Sequence, residues 1–354
     1  MILALTLISA SALAAPLTLT DMAGRTVSLT SDPGRIVCLG PGALRLIVYL
    51  DACEKVAGVE QMEKRHSGGR PYWIANPQLA KLPNIGPGGP ASINKKPDLE
   101  ALLRVRPEVI FATYMDAPLA NEVQQTLGIP LVVLSYGELA TFDEAVYDAL
   151  RIAGKVLNRK QRADDVVNYV ESRRKDLQAR TANVPDAQSQ RAYVGGIGHR
   201  GAHGIESTEK SYIPLDWLNA VNLSEKLESR IGSHVFADKE SLLRLNPNVI
   251  FIDGAGLALM AEDYRKKPEF YKALTAFQKR KVYTLLPFNF YTTNIGTALA
   301  DAHAIGKILF PDRFRDVDPE KKADEIYKFL VGQAVYEQMK KDYGVIGQTA
   351  PFLK

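Results

Sequence analysis

The segment Gly195-Gly196-Ile197-Gly198-His199-Arg200-Gly201-Ala202-His203-Gly204 holds the densest set of chemically active residues in the sequence. Its five glycines remove side-chain bulk and let backbone N–H groups converge, as an anion-binding nest requires. Arg200 suits bidentate contact with a carboxylate, a catecholate or an oxyanion, and His199 and His203 can titrate or coordinate a metal. The same residues would also serve as a plain glycine-rich turn with solvated histidine and arginine. The loop continues through Glu206, Ser207, Thr208 and Tyr212. Other polar and aromatic residues follow apolar runs elsewhere: Tyr114 and Asp116 after the run ending at Phe111, and Phe288-Asn289-Phe290-Tyr291-Thr292-Thr293 after the run ending at Leu285. A second Arg/His/aromatic loop, Arg65-His66-Ser67-Gly68-Gly69-Arg70-Pro71-Tyr72-Trp73, offers Arg70 and Tyr72. Polar aromatic clusters suit a planar, partly apolar ligand, or they pack beneath a cleft.

A bare transition-metal site wants three or four His, Cys or carboxylate ligands, and His199 with His203 supplies two. Bare zinc or manganese is therefore disfavoured. A metal chelate would use the arginines, tyrosines and Trp73; a tetrahedral oxyanion such as molybdate or tungstate would use glycine N–H groups, Arg200 and hydroxyls. Both readings stay open. No G-x-S-x-G, H-E-x-x-H or P-loop occurs, and Gly196-Ile197-Gly198 is only a fragment of a dinucleotide fingerprint. No catalytic residues are expected and no intrinsic cofactor.

The elements that must position these residues read as an α/β chain. Apolar runs at Arg35–Leu39, Val56–Val59, Val109–Ala112 and Leu131–Leu134 alternate with amphipathic segments. Leu17–Thr20 and Thr26–Leu29 flank Ala23-Gly24 as an opening hairpin. From Phe142 to Arg180 apolar residues recur only at helical spacing, with a weak break at Asn158-Arg159, which predicts a connecting helical spine over 141–183. The second half repeats the first, with strands at Ala192–Val194, Val249–Ile252 and Val282–Leu285 and helices over Thr297–Phe310 and about Lys321–Lys340. The chain thus divides into 15–140, the spine, and 184–354.

At 354 residues and a formal charge of +4, the chain is long enough for two lobes and offers no basic patch for nucleic acid. Ile2–Leu13 followed by Ala14-Ala15 has the form of a secretory signal cleaved after Ala14, leaving 1–14 as a signal peptide. Neither Cys38 nor Cys53 sits at that junction, so a free exported protein is expected rather than a lipid-anchored one. Cys38 falls in mid-strand and Cys53 at the end of the next helix, which favours two packed thiols over a bridge.

One comparison sharpens the two halves. Leu99-Glu100-Ala101-Leu102-Leu103-Arg104-Val105-Arg106-Pro107-Glu108-Val109-Ile110-Phe111 aligns with Lys239-Glu240-Ser241-Leu242-Leu243-Arg244-Leu245-Asn246-Pro247-Asn248-Val249-Ile250-Phe251. Glutamate, both leucines, arginine, proline and Val-Ile-Phe all match at one constant offset. Each copy is a short helix, a proline-marked turn and a buried parallel strand.

With Asp21–Val27, Arg35–Pro41 and Val56–Val59, these units make the sequence resemble the periplasmic binding proteins of iron-siderophore, haem and vitamin B12 importers, over nearly the whole mature chain. The resemblance implies two Rossmann-like lobes joined by one long rigid helix, the ligand cleft between them and only modest lobe motion. It implies a monomer that captures an iron chelate (siderophore, haem or corrinoid-like) in the periplasm and delivers it to an ABC permease dimer. An oxyanion is the alternative ligand, and a periplasmic metal chaperone or metalloenzyme the alternative role. Glu100 and Glu240 match the paired glutamates that dock on permease arginines. His199, Arg200, His203, Tyr212, Tyr291, Tyr114, Arg70 and Tyr72 are the expected ligand contacts.

Overall fold

A computed structural model describes residues 16–353 except 66–67, 139–141, 186–189, 199–200 and 229–232. His199, Arg200 and the signal segment lie outside the described residues. After an antiparallel hairpin of β1 (Pro16–Thr20) and β2 (Thr26–Thr30), the first lobe is built on a parallel sheet of β3 (Ile36–Leu39), β4 (Val109–Thr113) and β5 (Leu131–Leu134). The second lobe has the parallel sheet of β6 (Ala192–Gly195), β9 (Val249–Asp253) and β10 (Val282–Leu285), and a small antiparallel pair of β7 (Ser207–Glu209) and β8 (His234–Phe236).

All of β3, β4 and β5 is buried, which is why these strands read as unbroken apolar runs: a parallel sheet is covered on both faces. Alternation along each strand still divides the core. Ile36, Phe111 and Phe251 join one continuous cluster running through Val166 and Val170 of the spine, whereas Val37, Ile110 and Ile252 face separate outer clusters. Each such apolar side chain contributes about 1.5–3 kcal/mol on burial. The central cluster therefore binds the lobes to the spine and to each other.

The internal repeat supplies the middle strand of each sheet, in the same register. Val37 stands opposite Ile110 and Tyr193 opposite Ile250; on the other side Leu131 pairs Ile110 and Val282 pairs Ile250. The preceding helices, Leu99–Val105 and Lys239–Leu245, are capped alike. The Asp98 carboxylate accepts the Ala101 N–H at 2.9 Å and that of Asp238 the Ser241 N–H at 2.7 Å. Both helices end on a left-handed residue, Arg106 and Asn246.

Some elements differ from their sequence pattern. Val56–Val59 forms single bridges, Ile36 to Val56 and Val59 to Asn84, because it leaves β3 for a different neighbour after one pair. The spine is an antiparallel pair, Ala145–Val156 and Lys160–Thr181, reversing at left-handed Asn158. A Cβ on Gly154 would lie 2.7 Å from that of Ala163, and Arg174 donates to Glu144 at 3.1 Å. The long helix of the pair links the lobes: Arg162 donates to Tyr49 O at 2.8 Å and Arg180 to Asp316 at 2.7 Å. The last helical stretch is two helices, Pro319–Val331 and Tyr336–Tyr343, divided at left-handed Gly332. This C-terminal part returns to the first lobe, where Gln333 donates to Ala75 O at 2.9 Å. Cys38 and Cys53 are free thiols.

Candidate functional site

The chain turns out of β3 at Gly40-Pro41-Gly42 into the helix Ala43–Tyr49, and that turn touches the other lobe. A Cβ on Gly42 would lie 2.5 Å from Thr292 Cγ2 and 2.6 Å from the Tyr136 ring, so glycine is what lets the 288–293 loop come so close. One turn on, Arg45 is wholly buried. It donates to Thr293 O at 2.8 Å and to Phe290 O and Tyr291 O at 3.0 Å, and its guanidinium stands 4.9 Å from the Tyr72 ring centre. A desolvated cation needs such partners, and here they are backbone carbonyls of the opposite lobe.

A second tie lies beside it. Glu60, at the end of the Val56–Val59 segment and 6% exposed, accepts the Tyr291 hydroxyl at 2.6 Å and the Gly40 N–H at 3.1 Å. The Tyr291 oxygen in turn accepts the Gly89 N–H at 2.9 Å. Burial pushes the Glu60 carboxyl up to about 7, against the pull of the Tyr291 and Gly40 hydrogen bonds. The Tyr291 phenol is raised by burial and by Glu60. Tyr114 and Thr292 exchange a hydroxyl hydrogen bond at 3.1 Å. Tyr291 (φ 54°) and the β-branched Thr292 (φ 64°) are both left-handed, at a cost of about 1–3 kcal/mol each that the interlobe bonds offset.

Arg70 and Tyr72 belong to a buried cluster around Glu63. Arg70 pairs with the Glu63 carboxylate and donates to Glu63 O at 2.7 Å; Tyr72 donates to Glu63 Oε2 at 2.8 Å. Burial raises the Glu63 carboxyl while Arg70 opposes the rise. Arg70 stacks 5.6 Å from Phe290, so this cluster backs the same loop that Arg45 holds.

Between the carboxyl ends of β3 and β4 and the 85–98 loop is a cavity of about 50 Å³, lined by Gly40, Glu60, Gly88, Asn94, Lys95 and Thr113 among others. Parallel sheets bind ligands at this end, where the loops diverge.

In the second lobe the glycine-rich segment is occupied differently from an open nest. The Gly196 N–H goes to Gly204 O at 3.0 Å, the Ile197 N–H to Ser207 O at 3.3 Å and the Gly204 N–H to Glu206 at 3.3 Å. A Cβ on Gly256 would lie 2.4 Å from Gly196 Cα: bulk is missing here because two backbones meet. His203 stands edge-on to Phe236 at 5.0 Å. Tyr212 is fully buried with its ring 5.2 Å from Phe288, and its hydroxyl has no partner among the described residues. Asp116 caps the helix Ala117–Leu127 and accepts from Asn94 at 2.7 Å. Beneath the 288–293 loop, burial raises Asp253 to about 7 and Glu209 to about 8, and pushes Asp301 well up. Among the described residues no group of three or more His, Cys, Asp or Glu side chains is placed to hold a metal ion.

Of the residues expected from sequence, the structure gathers Tyr291, Tyr114, Arg70 and Tyr72 at the lobe interface, packs Tyr212 behind the same loop against Phe288, and sets His203 apart against Phe236. Arg45, Glu60, Glu63 and the Gly86–Gly89 loop were not anticipated. Glu60 follows an apolar run just as the other loop residues do, and Arg45 is the lone charge in Ala43–Tyr49; those were the available signals.

A sequence profile described as periplasmic binding protein matches residues 36–287. MolA, a molybdate-binding protein of Haemophilus influenzae, is 26% identical over 332 residues, 88% of this chain and 89% of MolA. YvrC of Bacillus subtilis, an uncharacterized ABC transporter substrate-binding lipoprotein, is 20% identical over 303 residues, 85% of this chain and 88% of YvrC. The structure of molybdate-bound MolA superposes with a TM-score of 0.69 at 22% identity, covering 90% of this chain and 98% of that one. A periplasmic solute binding protein of Veillonella parvula gives 0.73 at 16% identity, covering 93% and 97%.

Proposed function

This chain belongs to the periplasmic binding protein family, and from that we propose that it captures a small tetrahedral oxyanion of the molybdate class and delivers it to an ABC permease. The observation that carries the choice of ligand is the size of the cavity at the ends of β3 and β4. At about 50 Å³ it has room for a few water-sized groups, each needing about 10–15 Å³. Sites for larger organic ligands run to about 300–1,000 Å³. An iron chelate or haem would need a site several times larger than this one. The small cavity thus favours the oxyanion over the chelate expected from the resemblance. Its lining offers an anion the glycine backbone, Ser92, Asn94 and the cations Lys95 and Lys96, beside the carboxyl groups of Glu60 and Asp98. Likeness to molybdate-binding MolA over most of both chains supports the same choice.

Delivery would use Glu100 and Glu240. Both are exposed, each one residue into its helix, and the two helices are the matching copies of the repeat. A wider groove of about 660 Å³, lined by Phe236, Asp238 and Lys239, borders the Glu240 helix on the outside of the second lobe. Export would follow removal of residues 1–14, and the protein would act as a monomer with no catalytic step. No helix among the described residues is long and apolar enough to cross a membrane.

The test is a thermal melt of the mature protein with molybdate, tungstate, sulfate, haemin or a ferric siderophore. A ligand at about 100 times its Kd adds about 2.7 kcal/mol of stability. Molybdate and tungstate are expected to shift the melt. A shift with haemin or siderophore alone would overturn the oxyanion reading.

A further inference from the structure

We propose that the Glu60 carboxylate is a built-in competitor of the ligand, holding from inside the fold the donors that a bound oxyanion takes over. The inference rests on the oxyanion reading above. Its basis is geometric. Glu60 Oε2 receives the Gly40 N–H at 3.1 Å from the end of β3 and the Tyr291 O–H at 2.6 Å from the opposite lobe, and the Gly89 N–H completes the set on the Tyr291 oxygen at 2.9 Å. The carboxylate fits only because position 88 has no side chain: a Cβ there would lie 2.8 Å from Glu60 Cδ and 2.9 Å from Oε2. Among the described residues no lysine, arginine or histidine pairs with Glu60. An anion held by neutral N–H and O–H donors, at the carboxyl end of parallel strands and on the wall of the cavity, is placed as an oxyanion ligand would be.

A charged Glu60 on the cavity wall repels a doubly charged ligand, so the ligand enters when Glu60 is neutral. The groups that bear on its charge are Cys38 on β3, Glu63 with its partner Arg70, Lys95, Lys96 and Asp98 across the cavity, and Tyr291 from the second lobe. With its carboxyl near 7, Glu60 is mostly neutral at pH 6 and mostly charged at pH 8. Oxyanion affinity therefore falls as pH rises through that interval.

The experiment is molybdate titration by calorimetry of the mature protein and its Glu60→Gln variant at pH 6 and pH 8, with folding checked by thermal melting. Glutamine keeps the shape and an acceptor for Gly40 and Tyr291 but carries no charge. Wild-type affinity is expected to drop about tenfold from pH 6 to pH 8, one decade per pH unit above the carboxyl's own value less the rounding near it. Glu60→Gln is expected to bind equally at both and to exceed wild type about tenfold at pH 8. A flat wild-type profile, or weaker binding by a folded Glu60→Gln at pH 8, would overturn the competitor and leave Glu60 as an interlobe pin. Should Glu60→Gln not fold, the wild-type profile decides alone. If folded wild type binds no oxyanion at either pH, the oxyanion reading fails and this proposal with it.

Discussion

Arg45 of the first lobe donates to the carbonyl of Thr293 in the second at 2.8 Å, across 248 residues of chain. The same guanidinium holds Phe290 O and Tyr291 O, so one side chain satisfies three carbonyls of a loop whose own backbone is left-handed at two successive non-glycine residues.

Removing that guanidinium strands the Thr293 and Tyr291 carbonyls, since Phe290 O keeps the Asn294 amide at 3.2 Å, and opens a space in the core. Arg45→Ala should lower unfolding free energy by at least about 2 kcal/mol, as unsatisfied buried groups cost about 1–3 kcal/mol each. Arg45→Lys should fall between, because an ammonium lacks the planar fork. Urea denaturation measures both; a loss below about 1 kcal/mol for Arg45→Ala would mean the clamp does not hold the loop.

Stability should depend on pH through the buried carboxyls. Asp253 and Glu60 titrate near 7 and Glu209 near 8 in the folded protein, all above the ordinary carboxyl range. The folded state therefore binds more protons than the unfolded one between about pH 4 and pH 8. Their stabilising contribution is full at low pH and is lost as pH rises through the folded values, by at most about 1.4 kcal/mol per pH unit for each group. The melting temperature is expected to fall from pH 6 to pH 8.5, less steeply in Glu209→Gln. A melt that rises over that range would contradict the assignment.

Reversing the charge at both repeat helices separates capture from delivery. The double variant Glu100→Lys, Glu240→Lys should bind its ligand as wild type does, since both residues are exposed and outside the cleft. Ligand uptake through the permease in proteoliposomes should be abolished, and single reversals should reduce it partially. Unchanged uptake by the double variant would remove these helices from the docking surface.

The lobes and the repeat were legible because fully covered parallel strands are apolar along most of their length and because Glu100–Phe111 and Glu240–Phe251 match at eight positions in one register. The site was legible in part. Tyr291 and Tyr114 follow strands and do meet at the interface, but nothing local distinguishes them from Tyr212, which follows β7 and packs against Phe288 instead. The glycines at 195 and 196 have the composition of a nest and the job of close backbone packing; only the partners of their N–H groups tell the two apart. Arg45 and Glu60 owe their roles to residues more than two hundred positions away, beyond the reach of any pattern in the neighbouring sequence.

The spine has one consequence for the partner. Its longer helix has 22 residues, a rod of about 33 Å; near one end Arg162 ties it to Tyr49 of the first lobe and to Phe329 of the C-terminal helices, and near the other Arg180 ties it to Asp316. On the docking proposed for Glu100 and Glu240, such a rod would gauge the spacing of those two helix ends. The state of the cargo would then reach the permease through the few side chains of the cleft rather than through the distance between the jaws.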